Sequence, residues 1–187
     1  MEAFIDFEDG LDVEWEYVNC SAIVDPEKDL GGLYLGNRAA SEDFPYFKAK
    51  NISVVVDMAG CKYKYPPNLI PHVLCIEAED VDAYDLTEHF EKCFDFIHEH
   101  RKNGRGVLVH CMAGVSRSAT IVIGYLMRYQ NMDLKTAYQF VKKKRTCIGP
   151  NKGFIQQLMQ YDKNVKVILE KELAAAKQKG KGKNQKK

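Results

Sequence analysis

The sequence predicts an α/β fold: a single domain with a mainly parallel central sheet of about five strands flanked by helices. Three observations predict it. Short apolar runs of strand length sit at residues 33–35, 52–56, 73–76 and 107–109, each bounded by Gly, Asn, Asp or Pro. Runs without polar alternation belong to strands buried on both faces, as parallel strands under helical crossovers are. Helical periodicity then dominates the second half of the chain. The 187 residues, 45% hydrophobic and 28% charged, fit one ordinary domain and not two.

Taken in order, the chain opens with seven acids and no base before Cys20. Phe4, Phe7, Leu11 and Trp15 fall at helical spacing there, interrupted by Gly10, and are expected to form a lid helix packed on the core within an acidic N-terminal segment, residues 1–24, with a flap that faces a partner or the substrate as the alternative. After the third strand, Leu86, Phe90, Cys93, Phe94 and Ile97 line one helical face, with Asp85 and Glu88 spaced as a capping box. Residues 119–129 are apolar nearly all round, which marks a helix in the centre of the domain. Leu134, Ala137, Tyr138 and Val141 share a face of the next helix, started by Asp133. The last helix opens near Asn151, turns Phe154, Leu158, Tyr161 and Val165 inward, and is expected to fray beyond Glu172. The folded domain is therefore expected over residues 25–170, followed by a lysine-rich, disordered tail at 171–187.

That tail hides a charge asymmetry. The formal net charge is +1, but the last eleven residues hold six lysines and no acid, so the rest of the chain is acidic. An acidic body offers no basic face to wrap nucleic acid, and none is expected as a partner. The tail is a candidate for contact with anionic surfaces. No apolar run approaches the ~18 to 20 residues that span a bilayer, and the acidic N-terminus is unlike a signal peptide. The expected location is cytoplasmic, with the nucleus as a second compartment. Six cysteines without a C-x-x-C pair read as free thiols. Five are expected to be small buried hydrophobes; Cys111 is the exception.

Cys111 begins a seven-residue loop between the apolar run at 107–109 and the central helix, and Arg117 ends it. A strand turning directly into a helix N-terminus aims backbone N–H groups at one point, and the helix dipole adds partial positive charge. Such a loop binds an anion and favours a sulfur anion. Arg117 supplies a planar fork that grips two oxygens of a phosphate. Gly114 suits a sharp turn and a close approach to ligand.

The string His110-Cys111-Met112-Ala113-Gly114-Val115-Ser116-Arg117-Ser118 resembles the His-Cys-x5-Arg-Ser/Thr signature of cysteine-dependent protein phosphatases. The Ala-Gly-Val-Ser-Arg-Ser-Ala-Thr version is similar to the small, atypical dual-specificity branch. The Gly-Leu-Tyr-Leu-Gly-Asn stretch at 32–37, Asp80 in a loop 31 residues before Cys111, and Arg145-x4-Pro150-Asn151-x-Gly153-Phe154 resemble further landmarks in the right order. The resemblance covers about residues 25–165. It implies that the catalytic residues are Cys111, Arg117, Asp80 and Ser118. Met112, Ala113, Gly114, Val115, Ser116 and Arg117 would hold the phosphate, and His110 and Asn151 would give structural support. It implies phosphoprotein substrates, with protein kinases as candidate partners, and no metal or other cofactor, since Arg117 and the amides supply the charge stabilisation. Asp82 stays open beside Asp80 as the general acid, because Asp82 and Asp85 share its loop.

The rival readings are sulfur transfer on a rhodanese-type loop, a phospho-binding module that has lost catalysis, and a nonprotein substrate such as a phosphoinositide, an RNA 5′ end or a glucan. Sulfur transfer needs no acid at Asp80 and does not predict the Arg117-Ser118 ending. The apolar Met112, Ala113 and Val115 contrast with the lysines that phosphoinositide-directed relatives tend to carry there.

Overall fold

The computed structural model describes residues 7 and 10–183, with side chains through residue 167. Strands β1 (Cys20–Val24), β2 (Leu33–Gly36), β3 (Ile52–Asp57), β4 (His72–Cys75) and β5 (Gly106–His110) form one sheet in the order β1-β2-β5-β3-β4. The β1–β2 pair is antiparallel and the other three pairs are parallel. Five helices follow the strands or link them: α1 (Phe44–Ala49), α2 (Phe90–Lys102), α3 (Arg117–Tyr129), α4 (Leu134–Lys144) and α5 (Lys152–Lys183).

Strands β2, β3 and β5 are buried on both faces, and the alternation of side chains divides them between two cores, while β4 at the edge is partly exposed. Leu33 and Leu35 of β2, Val54 and Val56 of β3, and Val107 and Val109 of β5 face the larger core, shared with α2 to α5. Tyr34, Val55 and Leu108 face a smaller one with Phe47 of α1 and Ile70. Helix α3 lies in the larger core, where every residue from Ser118 to Arg128 is buried. Asp133 starts α4 as its spacing predicts, accepting a bond from the Thr136 N–H at 2.8 Å. That bond holds the Asp133 carboxyl below its ordinary range.

Several expectations need correction. Over residues 11–18 the chain has no regular secondary structure, so the helical stripe does not form there, and Phe4 lies outside the described residues. Gly10 at φ +78° breaks the register. Of the described residues of this stripe, Phe7 alone is buried in the core, 5.3 Å from the ring of Tyr138. The domain starts before residue 25, because β1 pairs with β2. The capping box at Asp85 and Glu88 is replaced by an aspartate turn. Asp85 accepts from both the N–H and the hydroxyl of Thr87, a 3-10 turn follows at Thr87–His89, and α2 begins at Phe90. Helix α5 runs to Lys183, past the expected fraying point, because its stretch of Ala, Leu, Glu and Lys has high helix propensity. Residues 184–187 of the tail lie outside the described residues. Of the five cysteines expected in the core, Cys93 and Cys147 are buried, Cys20 and Cys61 are half-buried, and Cys75 is exposed.

Burial holds three histidines below their ordinary value of 6.5: His98, His100 and His110. Lys102 and Arg101 add to the effect at His98, and His72 and Arg105 at His100. A folded value below the unfolded one means that the unfolded chain takes up protons first on acidification. The stability these histidines contribute is therefore full above about pH 6.5 and is lost as pH falls. Thermal melting should show a lower midpoint at about pH 5.5 than at about pH 7.5; a midpoint that rises on acidification would contradict this.

Candidate active site

The parallel strands β2, β3 and β5 end side by side at Gly36, Asp57 and His110. This carboxyl edge is where open α/β sheets hold ligands. From here residues 111–116 turn into α3. The carbonyls from Met112 to Ser116 are all bonded outward. Met112 O accepts from the Arg38 N–H at 3.1 Å, and Val115 O from the Gly149 N–H at 2.9 Å. Ala113 O accepts from the Tyr17 hydroxyl at 3.1 Å and Arg145 Nη2 at 3.4 Å. Gly114 O accepts from Arg145 Nε at 2.8 Å, and Ser116 O from the Thr120 N–H and hydroxyl, both at 2.9 Å. In a trans peptide the N–H points opposite its C=O. Carbonyls drawn outward therefore turn the amides of the loop toward its centre.

The Cys111 sulfur lies at that centre. It is buried, yet its neighbours are polar: Sγ accepts from the Gly114 N–H at 3.2 Å and the Ser118 hydroxyl at 3.1 Å. Ser116, at the N-terminal boundary of α3, gives no side-chain cap to the helix, which leaves its first amides for an anion. Gly114 sits at φ +67°, and a Cβ there would lie 2.5 Å from the carbonyl oxygen of Gly36. Only glycine allows this turn against the end of β2.

Arg117 is mostly buried. Its Nη1 donates to the carbonyls of Met58 and Ala78, both at 3.0 Å. Its Nε stands 3.4 Å from Asp80 Oδ2, a charge contact without the alignment of a hydrogen bond. Among the described residues this buried Nε–H has no hydrogen-bond partner, an open donor beside the loop.

Asp80 and Asp82 separate by position. Asp80 faces Arg117, and its Oδ1 accepts from Asn151 Nδ2 at 3.0 Å. Asp82 turns away to the start of α5, where its Oδ1 accepts from the Gly153 N–H at 3.4 Å. A Cβ on Gly153 would overlap the Asp82 carbonyl, so this glycine lets the acidic loop lie against α5. Asn151 does three things at once. It caps α5 by accepting from the Phe154 N–H at 2.9 Å, holds Asp80, and donates its own N–H to the Ser116 hydroxyl at 3.1 Å.

His110 lies behind the loop in a buried network. The Tyr65 hydroxyl donates to Asp57 Oδ2 at 3.0 Å, which leaves its oxygen to accept from His110 Nε2 at 2.6 Å. Burial holds His110 below its ordinary value against the pull of Asp57, and burial together with Asp57 pushes the Tyr65 phenol up. The structure thus brings together the predicted Cys111, Arg117, Asp80, Ser118, His110 and Asn151 and the loop from Met112 to Ser116.

Sequence reasoning gave no role to Arg145, Asn37, Tyr65 or Asp57. Arg145 is buried, and besides Gly114 and Ala113 it donates to Val18 O at 2.7 Å and the Ser21 hydroxyl at 3.3 Å. Asn37 bonds Asn19, the Ala40 N–H and the Tyr17 hydroxyl. Both lie in stretches already marked as landmarks, Arg145 ahead of Gly149-Pro150 and Asn37 at the end of the glycine-bounded strand β2.

Known proteins share this arrangement. The sequence profile described as "Dual specificity phosphatase, catalytic domain" matches residues 33–164. Dual specificity protein phosphatase 1B of Arabidopsis thaliana is 37% identical over 152 residues, covering 79% of this chain and 90% of that protein. Dual specificity protein phosphatase 22 of Homo sapiens is 36% identical over 145 residues, 73% of either chain. A longer relative, the MAP kinase phosphatase with leucine-rich repeats protein 3 of Dictyostelium discoideum, is 39% identical over 137 residues, which span 16% of its length. The crystal structure of DUSP15 superposes with a TM-score of 0.69 at 31% identity, covering 78% of this chain and 94% of that one. The crystal structure of human DUSP28, at 24% identity, shares the fold with a TM-score of 0.73, covering 82% of this chain and 99% of that one. The chain belongs to the dual-specificity protein phosphatase family. It is a hydrolase of phosphate esters on proteins. Among the described residues no helix is long and apolar enough to cross a membrane.

Because Arg145 carries bonds to four acceptors without a carboxylate partner, Arg145→Met should leave buried carbonyls unpaired and lower the unfolding free energy by about 3 kcal/mol. Urea denaturation measures it; a loss below about 1 kcal/mol would show that the loop does not depend on this guanidinium.

Proposed function

We propose that the protein hydrolyses phosphate monoesters on phosphotyrosine and on phosphoserine or phosphothreonine of its substrates, through a phosphocysteine intermediate. One observation carries the reading. The Cys111 sulfur accepts from the Gly114 N–H and the Ser118 hydroxyl within a loop whose carbonyls are bonded outward, and Arg117, which ends that loop, keeps an Nε–H without a hydrogen bond among the described residues, donors of the kind that a phosphoryl group in transfer requires.

In the first half-reaction the Cys111 thiolate attacks phosphorus in line. The S–P bond forms as the ester P–O bond breaks, with the loop amides and Arg117 holding the equatorial oxygens. Asp80 gives its proton to the departing alkoxide or phenoxide. Its place against Arg117 and Asn151 supports this role, and the contact of Asp82 with Gly153 argues against Asp82. In the second half-reaction the Asp80 carboxylate takes a proton from water, whose oxygen attacks phosphorus and expels the Cys111 thiolate. The Ser118 hydroxyl, already donating to Sγ, stabilises that leaving sulfur. Met112, Ala113, Gly114, Val115 and Ser116 bind through their backbone. His110 and Asn151 act from behind, holding the loop and Asp80.

Two substitutions test this reading. Cys111→Ser should abolish hydrolysis while retaining phosphopeptide binding, and turnover above about a thousandth of wild type would remove Cys111 from the role. Asp80→Asn should slow hydrolysis of a phosphothreonine peptide by about 10² to 10⁴-fold and that of p-nitrophenyl phosphate much less, because the nitrophenolate leaves without a proton. Equal effects on the two substrates would assign the acid elsewhere.

A further inference from the structure

The single tryptophan of the chain is spent on the surface. Trp15 is 70% exposed, the most exposed of the large apolar side chains described. Leaving so much indole in water forgoes burial that would stabilise the fold, yet its backbone is tied down on the C-terminal side. The Glu16 N–H donates to the Thr146 hydroxyl at 2.6 Å, and that hydroxyl donates to Glu16 O at 3.1 Å. Tyr17 is held by the Ala113 carbonyl and by Asn37 Nδ2 at 3.0 Å. Tyr17 thus touches the catalytic loop two residues from Cys111. The ring of Trp15 lies 6.3 Å from that of Tyr17, at 21° to it. Arg145 stands 5.8 Å from the Tyr17 ring, so the Trp15–Tyr17 pair is already built next to one guanidinium.

Charge decides what the exposed ring suits. The strap carries Asp12, Glu14 and Glu16, all exposed, and no base before Cys20. The acidic loop across the site holds Glu77, Glu79, Asp80, Asp82 and Asp85, all exposed, with no base between them. Among the described residues neither Glu14 nor Glu16 forms an ion pair. Of these two acidic segments one touches the loop at Ala113 and the other touches Arg117, and together they repel a substrate with acidic flanks and attract one with basic flanks. Tryptophan is the best aromatic face for a cation, and arginine its commonest partner.

We propose that the strap from Glu14 to Tyr17 is a specificity element that receives an arginine of the substrate on the face of Trp15, so that preferred substrates carry this residue close to the phosphorylated one. The proposal rests on the phosphopeptide reading above and deepens it. Glu14 and Glu16 supply the field, and Trp15 supplies the contact.

The test uses the full-length Cys111→Ser protein, in which the lone tryptophan reports on its own site. Phosphotyrosine peptides in an alanine background carry arginine in turn at each of the three positions on either side of the phosphotyrosine. At one position or more, arginine should tighten binding by about fivefold or more and quench Trp15 fluorescence. Leucine at the same position should not. In the Cys111→Ser/Trp15→Ala protein, measured by calorimetry, the ratio of arginine to alanine affinities should fall to near one; raised salt should shrink it in the parent. A gain below about fivefold at every position, an equal gain from leucine, or a ratio that survives Trp15→Ala would each overturn the proposal. Turnover of p-nitrophenyl phosphate by the wild-type protein is measured beside it: failure there counts against the hydrolytic reading and leaves the binding ratios to judge the strap.

Discussion

The site depends on the direction of five carbonyl groups. A loop of ordinary residues has as many acceptors as donors, and an anion is repelled by the first as much as it is held by the second. Here the carbonyls from Met112 to Ser116 are all drawn outward by donors that belong to other parts of the chain: Arg38, Tyr17, Arg145, Gly149 and Thr120. The planar peptide then fixes the amides inward around the Cys111 sulfur. The inward amides give the cradle its partial positive charge, because the rest of the fold has taken up the carbonyl ends of the same peptides.

This explains features that otherwise look unrelated. The buried guanidinium of Arg145 spans the loop and the approach to β1, so the N-terminal strap and the catalytic loop share one anchor. Gly114 must be glycine because β2 ends against it. The carboxyl edge of the parallel strands brings Asp57 and Gly36 level with His110, and the network through Tyr65 fills the space behind. In front, Asn151 links the start of α5, the Cys111 loop and Asp80, so the Asp80 carboxylate is positioned by the same residue that caps a helix.

Much of this was legible in the sequence. Four of the five strands announced themselves as apolar runs, the central helix as a segment without a polar face, and the loop through its spacing of Cys111, Gly114 and Arg117. The first strand did not, since Cys20-Ser-Ala-Ile-Val24 is short and mixed and takes its conformation from pairing with β2. The stripe of Phe4, Phe7, Leu11 and Trp15 misled because helical spacing does not distinguish a residue buried by a helix from one displayed on a strap; tertiary bonds at Glu16 and Tyr17 override it. Arg145 was marked as part of a landmark, but its buried role stayed hidden for a related reason. A basic residue at the end of a lysine-rich helix reads as solvated surface, and only its distant acceptors show that it is core. The sequence put Asp80 forward and left Asp82 open beside it, because both share one acidic loop; only the structure shows that Asp82 contacts Gly153 while Asp80 faces Arg117.

The orientation of the loop amides is the claim on which the account stands, and titrating ¹⁵N-labelled protein with tungstate, an inert oxyanion, while following each amide by NMR tests it most directly. The account predicts saturable shifts concentrated on the amides of residues 112–118 and on the Arg117 Nε–H, lost together in Arg117→Ala. Shifts centred on the start of α5 or on the lysines of the C-terminal helix, with the loop amides unmoved, would contradict it.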